Sequence, residues 1–289
     1  MIDYWQLLLL GSIAGFTIFL GLPLAALQNV SPRKKGFLNA FAIGILVFLI
    51  IDVFSHAWDS VGNVAQDTLS GKVSVGTGVP TILSLFAGLA IGLLGLVFYE
   101  GRYMKKNPTQ QRRGIAGGES LVASGGGEYQ HQQQLFQVNA YRLAMMIAIG
   151  IGFHNFSEGL AIGQPYASGA IGLAIILIIG FGAHNATEGF GIAGPLTGLV
   201  TKPRIRFLIL AGLVGGGPTF VGTVLGSLWT STITSVFFLS IAGGALIYVS
   251  MLMYNSGRQQ TTNEVLMLGI FVGLCAGFVT DLIVTLGGA

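Results

Sequence analysis

The feature that most constrains this chain is a series of eight apolar runs, each about as long as a lipid bilayer is thick. A helix rises about 1.5 Å per residue, so crossing a hydrocarbon core of about 30 Å takes about 20 apolar residues. Such runs lie at residues 5–27, 37–58, 79–99, 139–163, 169–194, 204–227, 233–255 and 264–286. In lipid the backbone must satisfy its own hydrogen bonds, which leaves helices or closed barrels, and these runs are too long for barrel strands of about 9–11 residues. The expectation is an all-α integral membrane protein with eight transmembrane helices in one domain over residues 1–289. Composition agrees: 9% of the 289 residues are charged, against about 25% in a soluble domain. The 45 glycines suit helices that pack closely without a hydrophobic effect to drive them together.

The first run lacks a basic leader and a clear cleavage site, so it reads as a retained span. The single cysteine, Cys275, excludes an intrachain disulfide and reads as a small buried side chain. A net charge of +3 is too small to point to nucleic acid.

Eight spans put both termini on one side, and the loops then sort by charge. Arg33, Lys34 and Lys35 follow span 1; Arg102, Lys105, Lys106, Arg112 and Arg113 follow span 3; Lys202, Arg204 and Arg206 join spans 5 and 6; Arg258 follows span 7. Arg142 opens span 4 on the same side, and Lys72 alone lies opposite. The positive-inside rule makes the basic side cytoplasmic and both termini external, in a multi-pass protein of the cell membrane. Residues 101–138, rich in Gln, Gly and Arg, read as a flexible cytoplasmic loop between spans 3 and 4. Its histidine, His131, sits among glutamines and reads as solvated.

Spans 4 and 5 carry an internal repeat. Residues 150–165, GIGFHNFSEGLAIGQP, align with residues 180–195, GFGAHNATEGFGIAGP, at an offset of 30. His154 and Glu158 are four apart, as are His184 and Glu188, so each helix projects a nitrogen and an oxygen ligand from one face, with Asn155 or Asn185 beside them. Each histidine falls near the middle of its span, and consecutive spans joined by a short loop are antiparallel neighbours. The two half-sites then face each other at one depth.

Charge inside the hydrocarbon is costly, about 2.5–3.5 kcal/mol per group on insertion scales, and marks a pathway or a paired site. Two carboxylates this close repel unless a proton or a cation lies between them. Two imidazoles and two carboxylates form a nitrogen and oxygen set that suits zinc and neighbouring divalent ions, and their charge balances one such ion. Asn155 and Asn185 supply carbonyl oxygen to that ion or orient its ligands. The bland alternative, that these polar groups only bond two helices together, does not account for two copies at matched depth.

The paired His-Asn-x-x-Glu-Gly motifs, on the fourth and fifth of eight spans, resemble those of the ZIP family of divalent metal transporters, in its bacterial and GufA-like branch. The resemblance covers most of the chain and implies a 3+2+3 helix arrangement with an inverted repeat relating spans 1–3 to spans 6–8. It also implies a homodimer, and a transport site formed by His154, Glu158, His184 and Glu188 and flanked by Asn155 and Asn185. The sequence departs from the family pattern twice. Gly217 stands before Pro218 where the family commonly has a glutamate, so one bound ion is expected rather than two. The run from Ala242 through Ser250 to Asn255 lacks an acidic pair found in span 7 of many members.

Asp52, His56 and Asp59 fall at i, i+4 and i+7 on one face of span 2, near its outer end, as an entrance that gathers metal. Asp281 in span 8 is a candidate pathway residue. The expected function is therefore metal uptake into the cytoplasm by alternating access, with zinc foremost and iron, manganese, cobalt, nickel or cadmium compatible with the same ligands. The divalent ion is cargo and no further cofactor is required. No phosphate-binding Gly-x-x-x-x-Gly-Lys-Ser/Thr motif is present, so ATP is not expected to drive the step. The rival reading is an intramembrane zinc-dependent hydrolase. Asparagine follows each histidine where the hydrolase motif His-Glu-x-x-His places its catalytic base, so the chain is not expected to be an enzyme.

Overall fold

The computed structural model describes residues 4–27, 31–99, 101–102, 127–167, 169, 171–228 and 231–286. Among them every regular element is helical. Helix α1 (Tyr4–Phe16) continues into two short 3-10 turns, Thr17–Leu20 and Leu22–Ala26. The other helices are α2 (Pro32–Leu69), α3 (Val75–Tyr99), α4 (Gly127–Ala167), α5 (Ile171–Ala193), α6 (Ile205–Leu228), α7 (Thr232–Gln260) and α8 (Asn263–Leu286). Eight helical segments among the described residues are long and apolar enough to cross a membrane.

Two boundaries differ from the sequence expectation because hydropathy marks only the apolar part of a helix. Helix α2 has 38 residues, about 57 Å of helix, and runs well past residue 58. Helix α4 starts at Gly127, so the last part of the supposed loop 101–138 is the polar first part of the span 4 helix. Residues 103–126 of that loop lie outside the described residues, and for His131 only its place in α4 is described.

The first span is broken. Residues 5–27 are uniformly apolar, but α1 ends at Phe16 and the chain proceeds through 3-10 turns, with Pro23 in the second. After α5 the chain turns through Gly194–Leu196 to Gly198, whose φ of 69° suits a residue without a Cβ. The Gly198 N–H donates to the Leu27 carbonyl at 3.0 Å, tying the end of the first span to the end of the fifth.

The closest helix pairs are α4 with α6, α3 with α7 and α2 with α8, while α1 packs on both α5 and α6 and α7 also joins α2 and α4. Small residues set the separations. A Cβ on Gly159 would lie 2.2 Å from the Thr219 carbonyl, and one on Gly222 would lie 2.2 Å from the Phe156 carbonyl. Helices α4 and α6 therefore touch backbone to backbone, and only glycine fits at those crossings. The apolar core, including Leu46, Leu49, Ile147, Ile151, Ile192 and Leu246, is shared among α2, α4, α5 and α7. Helices α3 and α8 turn large apolar residues outward, such as Phe86 and Leu94, or Phe271 and Leu282, as lipid-facing helices do. Cys275 is exposed on α8, so it faces outward rather than into the core.

Candidate metal site

The two motifs meet. His154 and Glu158 on α4 face His184 and Glu188 on α5, and all four are at most 5% exposed. His154 Nε2 lies 3.2 Å from Glu158 Oε1 and 3.8 Å from Glu188 Oε1, and His184 Nε2 lies 3.7 Å from Glu188 Oε1. The imidazole centroids are 5.7 Å apart. Ligand atoms at about 2.0–2.1 Å from a tetrahedral zinc sit about 3.3 Å from one another, so these spacings are close to those of one coordination shell.

The donor atoms are also the ones without hydrogen-bond partners. His154 Nε2, His184 Nε2, Glu158 Oε2 and Glu188 Oε1 are buried and form no hydrogen bond. A buried polar atom left unsatisfied costs about 1–3 kcal/mol, and more when charged. Such atoms converging on one point fit a cation.

Each asparagine is fixed by acceptors on neighbouring elements. Asn155 Nδ2 donates to Glu188 Oε2 at 2.8 Å and to the Gly215 carbonyl at 3.0 Å. Gly215 lies inside α6 beside Val214, whose carbonyl is the one that Pro218, lacking an N–H, leaves without its helical donor. Asn185 Nδ2 donates to the Ala14 carbonyl at 2.8 Å and, at 3.5 Å, to Thr219 Oγ1. Ala14 is in the last turn of α1, where helix carbonyls lose their amide partners. With each Nδ2 so engaged, Asn155 Oδ1 and Asn185 Oδ1 remain buried acceptors with no donor. They are available to flank an ion.

Asp52 is not an outer residue. Its carboxylate shares a cluster with the imidazole nitrogens of His154 and His184, with ligand atoms all within 4.8 Å of one another. The full length of α2 explains the difference, because Asp52 lies near the middle of a helix running from Pro32 to Leu69. One turn before it, Phe48 packs on His184 at 5.5 Å between ring centroids. One turn after it, His56 Nε2 lies 3.4 Å from Asp52 Oδ1, with the His56 side chain 67% exposed and that of Asp52 14% exposed. The pair therefore spans from the surface to the cluster. Asp59 is exposed and Asp281 half-buried, and neither joins the cluster.

Three carboxylates thus surround two imidazoles, and among the described residues no lysine or arginine is buried. At about 3 kcal/mol each on insertion scales, they would cost about 9 kcal/mol, as much as the whole stability of many proteins. Bound cations or protons must offset that cost.

Gly217 is on another face of α6. A Cβ there would meet nothing within 4 Å, and the position lines an apolar groove of about 650 Å³ with Phe153, Phe156 and Phe238. Position 217 therefore faces that groove, and Glu158, Glu188 and Asp52 are the carboxylates gathered around the two histidines. Sequence reasoning also gave no role to Phe48 or Thr219. The i, i+4, i+8 spacing of Phe48, Asp52 and His56 was the available signal.

Compared with models of known protein families and with curated proteins, the chain matches none.

Proposed function

We propose that the chain is a multi-pass carrier that moves a divalent metal ion across the cell membrane by alternating access, as a ZIP-type transporter. The observation that carries this reading is the convergence of His154, Glu158, His184 and Glu188 from two consecutive spans, with unsatisfied ligand atoms at the buried centre of an otherwise apolar protein.

The packing supports the 3+2+3 plan. Exchanging α1 with α6, α2 with α7, α3 with α8 and α4 with α5 carries the contact of α4 with α6 onto that of α5 with α1. The same exchange carries α3 with α7 onto α8 with α2, and α4 with α7 onto α5 with α2. The asparagine bonds follow the same exchange, Asn155 to α6 and Asn185 to α1. Inverted repeats of this kind place the substrate at their interface, near the midplane.

The residues have distinct tasks. His56 and Asp52 hand the ion inward along one face of α2, replacing part of its water shell with nitrogen and oxygen donors. His154, Glu158, His184 and Glu188 then hold it, and Asn155 fixes the orientation of Glu188. Rocking of one helix group against the other opens the site toward the basic side of the membrane, the cytoplasm. Both termini lie outside, and two copies form a homodimer. Zinc suits the mixed donor set best, with iron, manganese, cobalt, nickel or cadmium as competitors. An inside-negative potential, worth about 2.3 kcal/mol per charge per 100 mV, drives a dication inward without ATP.

Purified protein in liposomes tests the reading against the hydrolase alternative. Zinc flux that is lost in both His154→Ala and Glu188→Ala supports transport. Cleavage of peptide or lipid without flux would overturn it.

A further inference from the structure

A second feature lies at the other end of α2. Where α2 and α8 begin side by side, a groove of about 640 Å³ opens between them, within the range of about 300–1,000 Å³ that holds small ligands. Deeper in the bundle the two helices close on each other. A Cβ on Gly269 would lie 2.5 Å from that of Ala40 and 2.8 Å from the Phe37 carbonyl, so the groove is shut off below.

Its lining is divided. Arg33 and Lys34, both exposed, stand at the mouth with Ser31, whereas Phe37, Leu38, Val265 and Leu268 form the walls. Among the described residues neither Arg33 nor Lys34 has an ion-pair partner. Glu264, the acid next to Val265 in sequence, does not line the groove. Two cations above an apolar slot match a molecule with an anionic head and a hydrocarbon body. The groove is at the basic end of the spans, which the positive-inside rule assigns to the leaflet carrying anionic lipid.

We infer that this groove binds one anionic phospholipid, its phosphate on Arg33 and Lys34 and an acyl chain along Phe37, Leu38, Val265 and Leu268. The site is separate from the metal cluster and does not depend on what that cluster does. The lipid would wedge between the first turns of α2 and α8, the helix that carries Asp52 and its neighbour.

Native mass spectrometry of the purified full chain, titrated with phosphatidylglycerol or phosphatidylcholine, tests the inference. One phosphatidylglycerol should be retained in preference to phosphatidylcholine. Arg33→Ala with Lys34→Ala should weaken it about 25-fold, about fivefold per cation. Leu268→Trp, at an exposed position on the wall, should displace the lipid with both charges intact. Lys202→Ala with Arg206→Ala removes two exposed cations from the same side of the membrane and should change nothing. Equal loss in this control double variant would mean diffuse attraction and would overturn the site. Retention in both groove variants would overturn it too. Displacement by millimolar inorganic phosphate, or a change in subunit number caused by Leu268→Trp, would assign the groove to free anion or to a second copy and refute the lipid.

Discussion

Replacing Asn155 with leucine keeps the number of side-chain heavy atoms and removes one donor nitrogen that two buried acceptors share. Glu188 Oε2, at 2.8 Å, loses a hydrogen bond to a carboxylate worth about 1.5–3 kcal/mol, and the Gly215 carbonyl, at 3.0 Å, loses one worth about 1 kcal/mol. The α4, α5 and α6 contacts otherwise remain. Two consequences should appear together. The protein loses about 2.5–4 kcal/mol of stability, read as a lower melting temperature in detergent. Metal affinity falls about 10–100-fold, as it does when the partner orienting a ligand is removed. Isothermal titration of zinc into the metal-free protein measures the second effect. Asn185→Leu is the comparison, because it also removes a buried amide whose nitrogen bonds Ala14 and Thr219 but no metal ligand. Its affinity loss should stay below about tenfold. Wild-type affinity in Asn155→Leu, or an equal loss in Asn185→Leu, would refute the orienting role assigned to Asn155.

Three further outcomes follow from the geometry. Asp52→Asn should weaken zinc binding at least tenfold, whereas Asp59→Asn, at an exposed position outside the cluster, should leave the titration unchanged. Gly159→Val should fail to yield monodisperse protein on size exclusion, because its Cβ would lie 2.2 Å from the Thr219 carbonyl, while Gly217→Ala should elute and melt as the wild type does. Zinc needs neutral imidazole and ionised carboxylate, so binding should release protons, and apparent affinity should fall on acidification. A pH-indicating dye in weak buffer reads that release, and an affinity that rises on acidification would contradict the ligand set.

Much of the fold was legible because hydropathy reports lipid contact directly. The eight apolar runs correspond to eight helical segments, and the offset of 30 between the motifs brought His154, Glu158, His184 and Glu188 to one place. What escaped the sequence had physical causes. The break after Phe16 lies in uniformly apolar sequence, where hydropathy is the same for a helix and a 3-10 turn. Helices α2 and α4 run on into polar sequence, where hydropathy no longer marks an apolar run. The full length of α2 places Asp52 near its middle, beside the two histidines, rather than near an outer end. The facing of Gly217 depends on how α6 is rotated against α1 and α4, which the glycine contacts at Gly15, Gly216 and Gly222 set and a single sequence does not express.

The central claim is that the cluster on α4 and α5 passes a divalent ion across the membrane. Zinc uptake into proteoliposomes, with an imposed inside-negative potential and no ATP, tests it most directly. The account predicts saturable uptake that accelerates as the potential is made more negative, is inhibited by competing divalent ions and is lost in His154→Ala. Uptake no faster than in protein-free vesicles, or equal in His154→Ala, would contradict it.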